Sequence, residues 1–250
     1  MSDKITISNE TLSVFKALFN VDMTLKISAD DVVEFEDEDG NTVEKTILRV
    51  KSQNNTMMCK VLINEVFPRD VNIYDIREFI SVINIVNEPQ LDLSKSNTIT
   101  IVSKDGKQTL RYREAEEVLI TSYVAKDVPI SNEDLKFNIS SKLFDSVFTA
   151  AQTMKLEYLG FVGDGETAKI SAFGKNEGKE SLTNSFDVKI DDTEQTFNMF
   201  YKLDVNNLKV LSGEGDLSFV IDGNKKVSKI ETQTGKTFWI TMDSKSEYGE

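Results

Sequence analysis

Residues 29 to 40, ADDVVEFEDEDG, hold a dense run of carboxylates and are the first place to look for a metal. With Gly40 as the invariant glycine of an EF-hand loop, the first ligand position falls on Phe35, which has no oxygen to give. The run therefore reads as a solvated acidic face. None of the 42 Asp and Glu residues sits in an apolar setting that would mark a raised pKa, so no general acid and base pair stands out. The chain has no histidine, which removes Ser-His-Asp and Cys-His nucleophilic sites and every His-ligated metal. Its one cysteine, Cys59, lies in the strand-like run MMCKVLI, where it reads as a small apolar filler. Gly213-Glu214-Gly215 lacks the third glycine and following helix of a dinucleotide loop, no P-loop is present, and the glycines from Gly160 to Gly165 read as turns. Asn9, Asn54 and Asn138 open glycosylation triplets, but MSDKITI carries no signal-peptide core and the chain is expected to stay unexported. No catalytic residue, metal site or cofactor site emerges, and the expectation is a protein that is not an enzyme.

If the chain does not transform a substrate, the question becomes what its elements hold in place. Apolar spacing predicts helices over residues 9 to 21 (Leu12, Phe15, Leu18, Phe19) and 73 to 87 (Ile76, Phe79, Ile80, Ile83). It predicts two more over 139 to 155 (Leu143, Phe144, Val147, Phe148, Ala151) and 202 to 211 (Val205, Leu208, Leu211, stopping at Gly213). Each has one apolar face only. Between them run alternating segments: Ile99 and Ile101 before Lys104-Asp105-Gly106, and Leu217, Phe219 and Ile221 before Asp222-Gly223, both antiparallel hairpins. Phe238, Ile240 and Met242 make a last strand before a polar tail.

The order strand, helix, strands, helix, three strands occurs twice. ITISNETLSVFKALF from Ile5 corresponds to FNISSKLFDSVFTAA from Phe137, and NIYDIREFISVINIV with SNTITIVSKDGKQTLRY corresponds to YKLDVNNLKVL with GDLSFVIDGNKKVSKI. The expectation is an α+β chain of two similar domains, 1–120 and 133–250, joined by a connector over 121–132 that Pro129 stiffens. Each domain would set two helices on one face of an antiparallel sheet.

The charge count, 29 Lys and Arg against 42 Asp and Glu, gives −13 and argues at first against a nucleic-acid partner. Its distribution argues otherwise. The four helical segments hold Lys16, Arg77, Lys142, Lys155, Lys202 and Lys209 against five carboxylates, a net of +1, leaving −14 for the rest. Lys16, Arg77, Lys142 and Lys209 fall on polar helix faces among Ser13, Ser81, Asn84, Ser146, Thr149 and Asn206. Such residues position a protein on phosphates without reading bases.

INEVFPRDVNIYDIREFISVINIVNEPQLDLS, from Ile63, resembles the core of the sliding clamps of T-even-type bacteriophages, with an IYD-x-x-x-F-x-x-x-x-x-x-V-N skeleton. LKFNISSKLFDSVFTAAQTMKLEYLGF with AKISAFGKNE, and FNMFYKLDVNNLKVLSGEGDLSFVI with FWITMDS, resemble the second clamp domain in order and spacing. The resemblance implies a clamp fold assembled as a homotrimeric ring, helices lining the hole, with no cofactor. It implies a processivity factor that encircles double-stranded DNA topologically and binds a C-terminal peptide of the DNA polymerase. A clamp loader ATPase and late transcription factors are the further implied partners, in the cytoplasm of an infected bacterial host. No membrane is involved. On it, Lys16, Arg77, Lys142 and Lys209, with Lys155 and Lys202, are expected as pore-facing phosphate contacts. Val128, Ile130, Phe219, Ile221 and Trp239 are expected to line the partner-peptide pocket. A β-rich virion structural or adhesion protein shares the acidity and hairpins, but has no need of a duplicated helix pair with neutralised faces.

Overall fold

The computed structural model describes residues 3–36, 40–174, 184–203 and 206–249, with backbone alone for 206 and 207. The chain divides into two compact units, Met1–Asp127 and Val128–Glu250, the division falling inside the segment read as a connector.

Unit 1 runs β1 (Lys4–Thr6), α1 (Asn9–Phe19), β2 (Leu25–Ile27), β3 (Val32–Glu36), β4 (Thr42–Lys51), β5 (Met57–Ile63), β6 (Val71–Ile73), α2 (Ile76–Ile85), β7 (Pro89–Asp92), β8 (Thr98–Ser103) and β9 (Thr109–Arg113). A 3₁₀ turn, Glu117–Leu119, follows. Unit 2 runs β10 (Leu135–Ile139), α3 (Ser141–Thr153), β11 (Tyr158–Asp164), β12 (Thr167–Phe173), β13 (Ser185–Asp192) and β14 (Thr196–Lys202). After a 3₁₀ turn, Asn206–Leu211, come β15 (Leu217–Asp222), β16 (Val227–Thr232), β17 (Thr237–Thr241) and the short β18 (Glu247–Tyr248).

The duplication lies in the pairing as well as in the order. In unit 1 the strand before the first helix, β1, pairs antiparallel with β7, which opens the meander β7-β8-β9. In unit 2, β10 pairs in the same way with β15, which opens β15-β16-β17. β11 pairs with both β12 and β14 over most of its length. Its counterpart in unit 1 is broken at residues 28–31 into β2, which pairs with β6, and β3, which pairs with β4.

Local chemistry fixes the helix ends. Ser8 caps α1 by accepting from the Thr11 amide at 3.1 Å, Asp75 caps α2 from the Arg77 amide at 2.8 Å, and Ser140 caps α3 from the Leu143 amide at 3.3 Å. The fourth expected helix is instead the six-residue 3₁₀ turn. Two consecutive asparagines, which compete with the backbone for hydrogen bonds, open it, and Gly213, at φ 79°, stops it within two residues. Val205, expected inward, lies outside the described residues. Gly160 and Gly163 are not in turns but inside β11: a Cβ on the first would lie 2.3 Å from the Met199 carbonyl oxygen, and on the second 2.4 Å from the Phe197 ring. Only Gly165, at φ 87°, makes the turn.

The connector is tied down for most of its length. In unit 1 the Ser122 hydroxyl donates to the Thr24 carbonyl at 2.9 Å, and Asp127 accepts from Arg49 at 2.7 Å and Lys60 at 2.6 Å. In unit 2 the buried Asp222 carboxylate accepts from the amides of Ser131 and Asn132, both at 3.2 Å.

β9 is held at its end by Glu114, whose side chain is 3% exposed and accepts from Arg69 at 2.6 and 3.0 Å and from the Asn72 amide at 3.2 Å. Arg69 keeps carbonyl partners at Leu93 and Lys95. Glu114→Ala is therefore expected to lower the unfolding free energy by about 2–3 kcal/mol, measured by urea denaturation.

Candidate nucleic-acid interface

Each helix spends one face on its own unit. α1 buries Thr11, Phe15 and Leu18; α2 buries Ile76, Phe79, Ile80 and Ile83; α3 buries Phe144, Val147 and Ala151. Helical geometry leaves the opposite faces outward. On those faces Lys16, Arg77 and Lys142 are all exposed, as are Ser13, Ser81, Asn84, Ser146 and Thr149. The serine hydroxyls are already engaged: Ser13 donates to the Asn9 carbonyl at 3.0 Å, Ser81 to the Arg77 carbonyl at 2.8 Å and Ser146 to the Leu143 carbonyl at 2.7 Å. That leaves the cations as the groups that reach furthest.

Arg77 lies over the Phe19 ring at 3.7 Å, so its guanidinium spans α1 and α2 on the exposed side. Lys16, one turn before Phe19, brings a second cation to the same side of unit 1. In unit 2, Lys142 occupies the first turn of α3, which contains no carboxylate. A cation there opposes the helix dipole, while the Ser141 amide of the turn already donates to the Asp216 carboxylate at 3.0 Å.

The other three expected contacts sit differently. Lys209 is exposed, on the 3₁₀ turn rather than a helix. Lys155 follows α3 in the left-handed region, φ 54°, and Lys202 ends β14; both are exposed and neither is helical. With the helices bounded as they are, Lys16, Arg77, Lys142 and Lys209 stand against Glu10, Glu78 and Asp145, and the net remains +1.

The expected peptide pocket requires correction. Phe219, Ile221 and Trp239 are 1%, 0% and 4% exposed and belong to the core. Phe219 and Ile221 share the inward face of β15, and Phe219 meets Phe161 edge-on at 5.0 Å. Only Val128, 37% exposed, and the half-buried Ile130 reach the surface. The alternation in LSFVI marks one face as apolar but does not say whether an open groove or a packed core covers it.

Sequence reasoning missed two sheet edges. β9 ends the four-stranded sheet β1-β7-β8-β9, and β13 ends the five-stranded sheet β13-β12-β11-β14-β18. β9 exposes Arg111 and Arg113, whereas β13 exposes Asp187, Asp191 and Asp192 together with Lys189, which pairs with Asp192 at 2.6 Å. Beside β9 lies a cleft of about 490 Å³ lined by Tyr74, Leu110, Tyr112 and Leu119 and also by Glu78, Arg111 and Arg113. Burial, and then the charge of Glu78, push the Tyr112 phenol up to about 12, so it stays neutral there. Beside β13, Ala150, Met154 and Phe186 line a shallow apolar groove that Lys142 also borders. Among the described residues no group of three or more His, Cys, Asp or Glu is placed to hold a metal, and no helix is long and apolar enough to cross a membrane.

No protein-family model matches the chain, and no curated protein matches it in sequence. Solved structures do match. The PCNA of A. fulgidus, solved with the C-terminal region of FEN-1 bound, is similar with a TM-score of 0.61 at 14% identity, over 98% of this chain and 99% of that one. The PCNA2–PCNA3 complex of Sulfolobus tokodaii gives 0.52 at 15% identity over 96% and 98%. A putative DNA polymerase III beta subunit from Eubacterium rectale gives 0.57 at 14% identity, over 96% of this chain and 65% of that one. The fold is the sliding-clamp fold, mixed α and β with antiparallel sheets.

Lys142→Glu is expected to raise the unfolding free energy by about 0.3–1 kcal/mol, because it places a carboxylate in the first turn of α3. Urea denaturation checks this; a loss of stability would show that the ammonium serves the fold rather than a ligand.

Proposed function

We propose that the protein is a sliding clamp: a ring that encircles duplex DNA, has no catalytic activity, and tethers the replicative polymerase to confer processivity. The observation that carries this reading is the repeated helix and sheet unit of a clamp fold whose outward helix faces hold Lys16, Arg77 and Lys142 in an otherwise acidic chain. Contacts from such residues go to phosphates and carry no sequence information, so the protein can slide. The likeness to T-even-type phage clamps supports a homotrimer in the cytoplasm of an infected bacterium. It also supports a clamp loader ATPase that opens the ring, and late transcription factors that share it.

The ring is proposed to close head to tail, β9 of one chain against β13 of the next. Among the described residues both are sheet edges, β9 exposes Arg111 and Arg113 while β13 exposes three aspartates against one lysine, and a cleft of mixed character runs beside β9 and an apolar one beside β13. The polymerase is proposed to dock by a C-terminal peptide at the connector surface around Val128 and Ile130. The PCNA of A. fulgidus carries the C-terminal region of FEN-1.

Protein loaded on a nicked circle by its loader is expected to be lost when the circle is linearised. Equal retention would mean that binding is not topological. Lys16→Glu with Arg77→Glu, both away from the grooves beside β9 and β13, is expected to reduce loading and stimulation of synthesis while leaving the mass in solution unchanged.

The native mass is expected near three times 28.2 kDa. Arg111→Glu with Arg113→Glu is expected to reduce it to one chain, and adding Asp187→Arg with Asp191→Arg to restore it, as measured by light scattering. A single-chain mass for the unaltered protein would exclude the ring.

A further inference from the structure

The polar segment after β17 folds back along β14. It forms two ladder pairs there, Tyr248 with Phe197 and Glu247 with Asn198. The Gly249 amide donates to the Thr196 carbonyl at 3.2 Å and the Asp243 amide to the Phe200 carbonyl at 2.7 Å. Ser246 is buried and bridges both backbone groups of Phe200, accepting from its amide at 3.1 Å and donating to its carbonyl at 3.2 Å. Lys226, in the left-handed region at φ 54°, donates to the Ser244 carbonyl. The Tyr248 ring sits on Gly223, where a Cβ would lie 2.4 Å from it. Without this segment β14 would be an open sheet edge.

The segment is an imperfect occupant. Asn198 Oδ1 is buried and has no hydrogen-bond partner. Its cross-strand neighbour is Glu247, whose carboxylate can only accept. A cleft of about 1030 Å³ runs alongside, lined by Asp164, Asn198, Asn224 and Tyr248 among others. Ser244, Lys245, Glu247 and Gly249 are exposed, so few buried contacts hold the strand.

We propose that the β14 edge is a strand-addition docking site, held in cis by residues 243–249 and open in trans to an extended partner peptide. That peptide carries Ser or Thr two residues before an aromatic, with a hydrogen-bond donor (Lys, Arg or Gln) between them. The hydroxyl replaces Ser246 at Phe200, the ring replaces Tyr248 on Gly223, and the donor meets the Asn198 oxygen that Glu247 leaves unpaired. This goes beyond the clamp reading and does not depend on it.

The test uses the full chain and two labelled synthetic peptides, DSKSEYG, which copies the segment, and DSKSKYG. By fluorescence anisotropy, Ser246→Ala with Tyr248→Ala in the chain is expected to tighten binding of DSKSEYG at least tenfold, and DSKSKYG to bind at least fivefold tighter than DSKSEYG. Equal affinity of the unaltered and altered chains, or no binding to either, overturns the proposal. So does equal or weaker binding of DSKSKYG. A measurement on the unaltered chain guards against a variant that fails to fold. Amide exchange at Phe200 is expected to be at least a hundredfold faster than at Leu159 in β11; exchange as slow as that of Leu159 would show that the strand does not detach, and the proposal fails.

Discussion

One aromatic residue in each unit fastens helix to sheet or strand to strand, and the rest of the architecture follows from it. In unit 1 the Phe79 ring lies 6.3 Å from Phe15 and 5.1 Å from Tyr112, joining α2 to α1 and β9. In unit 2 the Phe161 ring lies 4.6 Å from Phe137 and 5.0 Å from Phe219, joining β11 to β10 and β15. Burying one such side chain is worth about 1.5–3 kcal/mol, before the further preference of rings for tilted and edge-on contacts. Once the apolar stripe of a helix is committed in this way, its opposite face is surface by geometry. The residues on that face are then free of packing constraints and open to selection for what they touch. The helical elements so bounded carry a small positive net charge, and the excess of acids lies on the strands and loops.

The connector obeys a different constraint. A chain crossing from one unit to the next carries backbone groups and charges that no sheet ladder satisfies. Here the two ends are fixed by carboxylates. Burial alone would raise Asp127, but the hydrogen bonds from Lys60 and Arg49 outweigh it and hold the carboxyl below its ordinary value. Asp222 is likewise held low against its burial by the amides of Lys225, Asn132 and Ser131. Both groups remain anionic at neutral pH, so both ends of the connector stay fixed there. The free length between them is short, and it contains the exposed Val128.

Much of the fold was legible in the sequence because it rests on periodicity. The stripes in ETLSVFKALF, DIREFISVINI and SKLFDSVFTAA give three helices within a few residues, and the alternation in NTITIV and DLSFVI gives the hairpins. Three features were not legible. The fourth helix has the right apolar spacing, but six residues with two asparagines at the start do not make α-helical turns. Gly160 and Gly163 look like turn residues and are instead strand residues made small by Phe197, Phe200 and Met199 on β14, a contact no local pattern encodes. The tail after Met242 is polar throughout, and polarity hides a strand whose hold depends on one buried serine and one ring. The candidate surface was legible where helical geometry determines it, at Lys16, Arg77 and Lys142. It was not legible at Phe219, Ile221 and Trp239, because an apolar side chain on a strand is equally consistent with core and with groove.

Four solved structures that share this fold are 10–15% identical to the chain, which leaves patterning rather than identity as what the fold requires. The charge can then be placed independently of the fold. On the proposed reading, three chains carry −39 in total, yet the faces that meet DNA carry Lys16, Arg77, Lys142 and Lys209 from each. Salt screens charges beyond about 8–10 Å, so a carboxylate on the far side of a sheet contributes little at the hole, whereas a lysine within a few ångströms of a phosphate acts almost alone. Each phosphate contact also steepens the salt dependence of binding by about one power of concentration. A few exposed lysines per chain therefore suffice to hold the duplex away from the acidic edges, and many more would arrest the sliding that topological retention allows. On the same reading the acidity repels DNA from the outer edges of the ring, and passage through the hole is the favoured way to be near it.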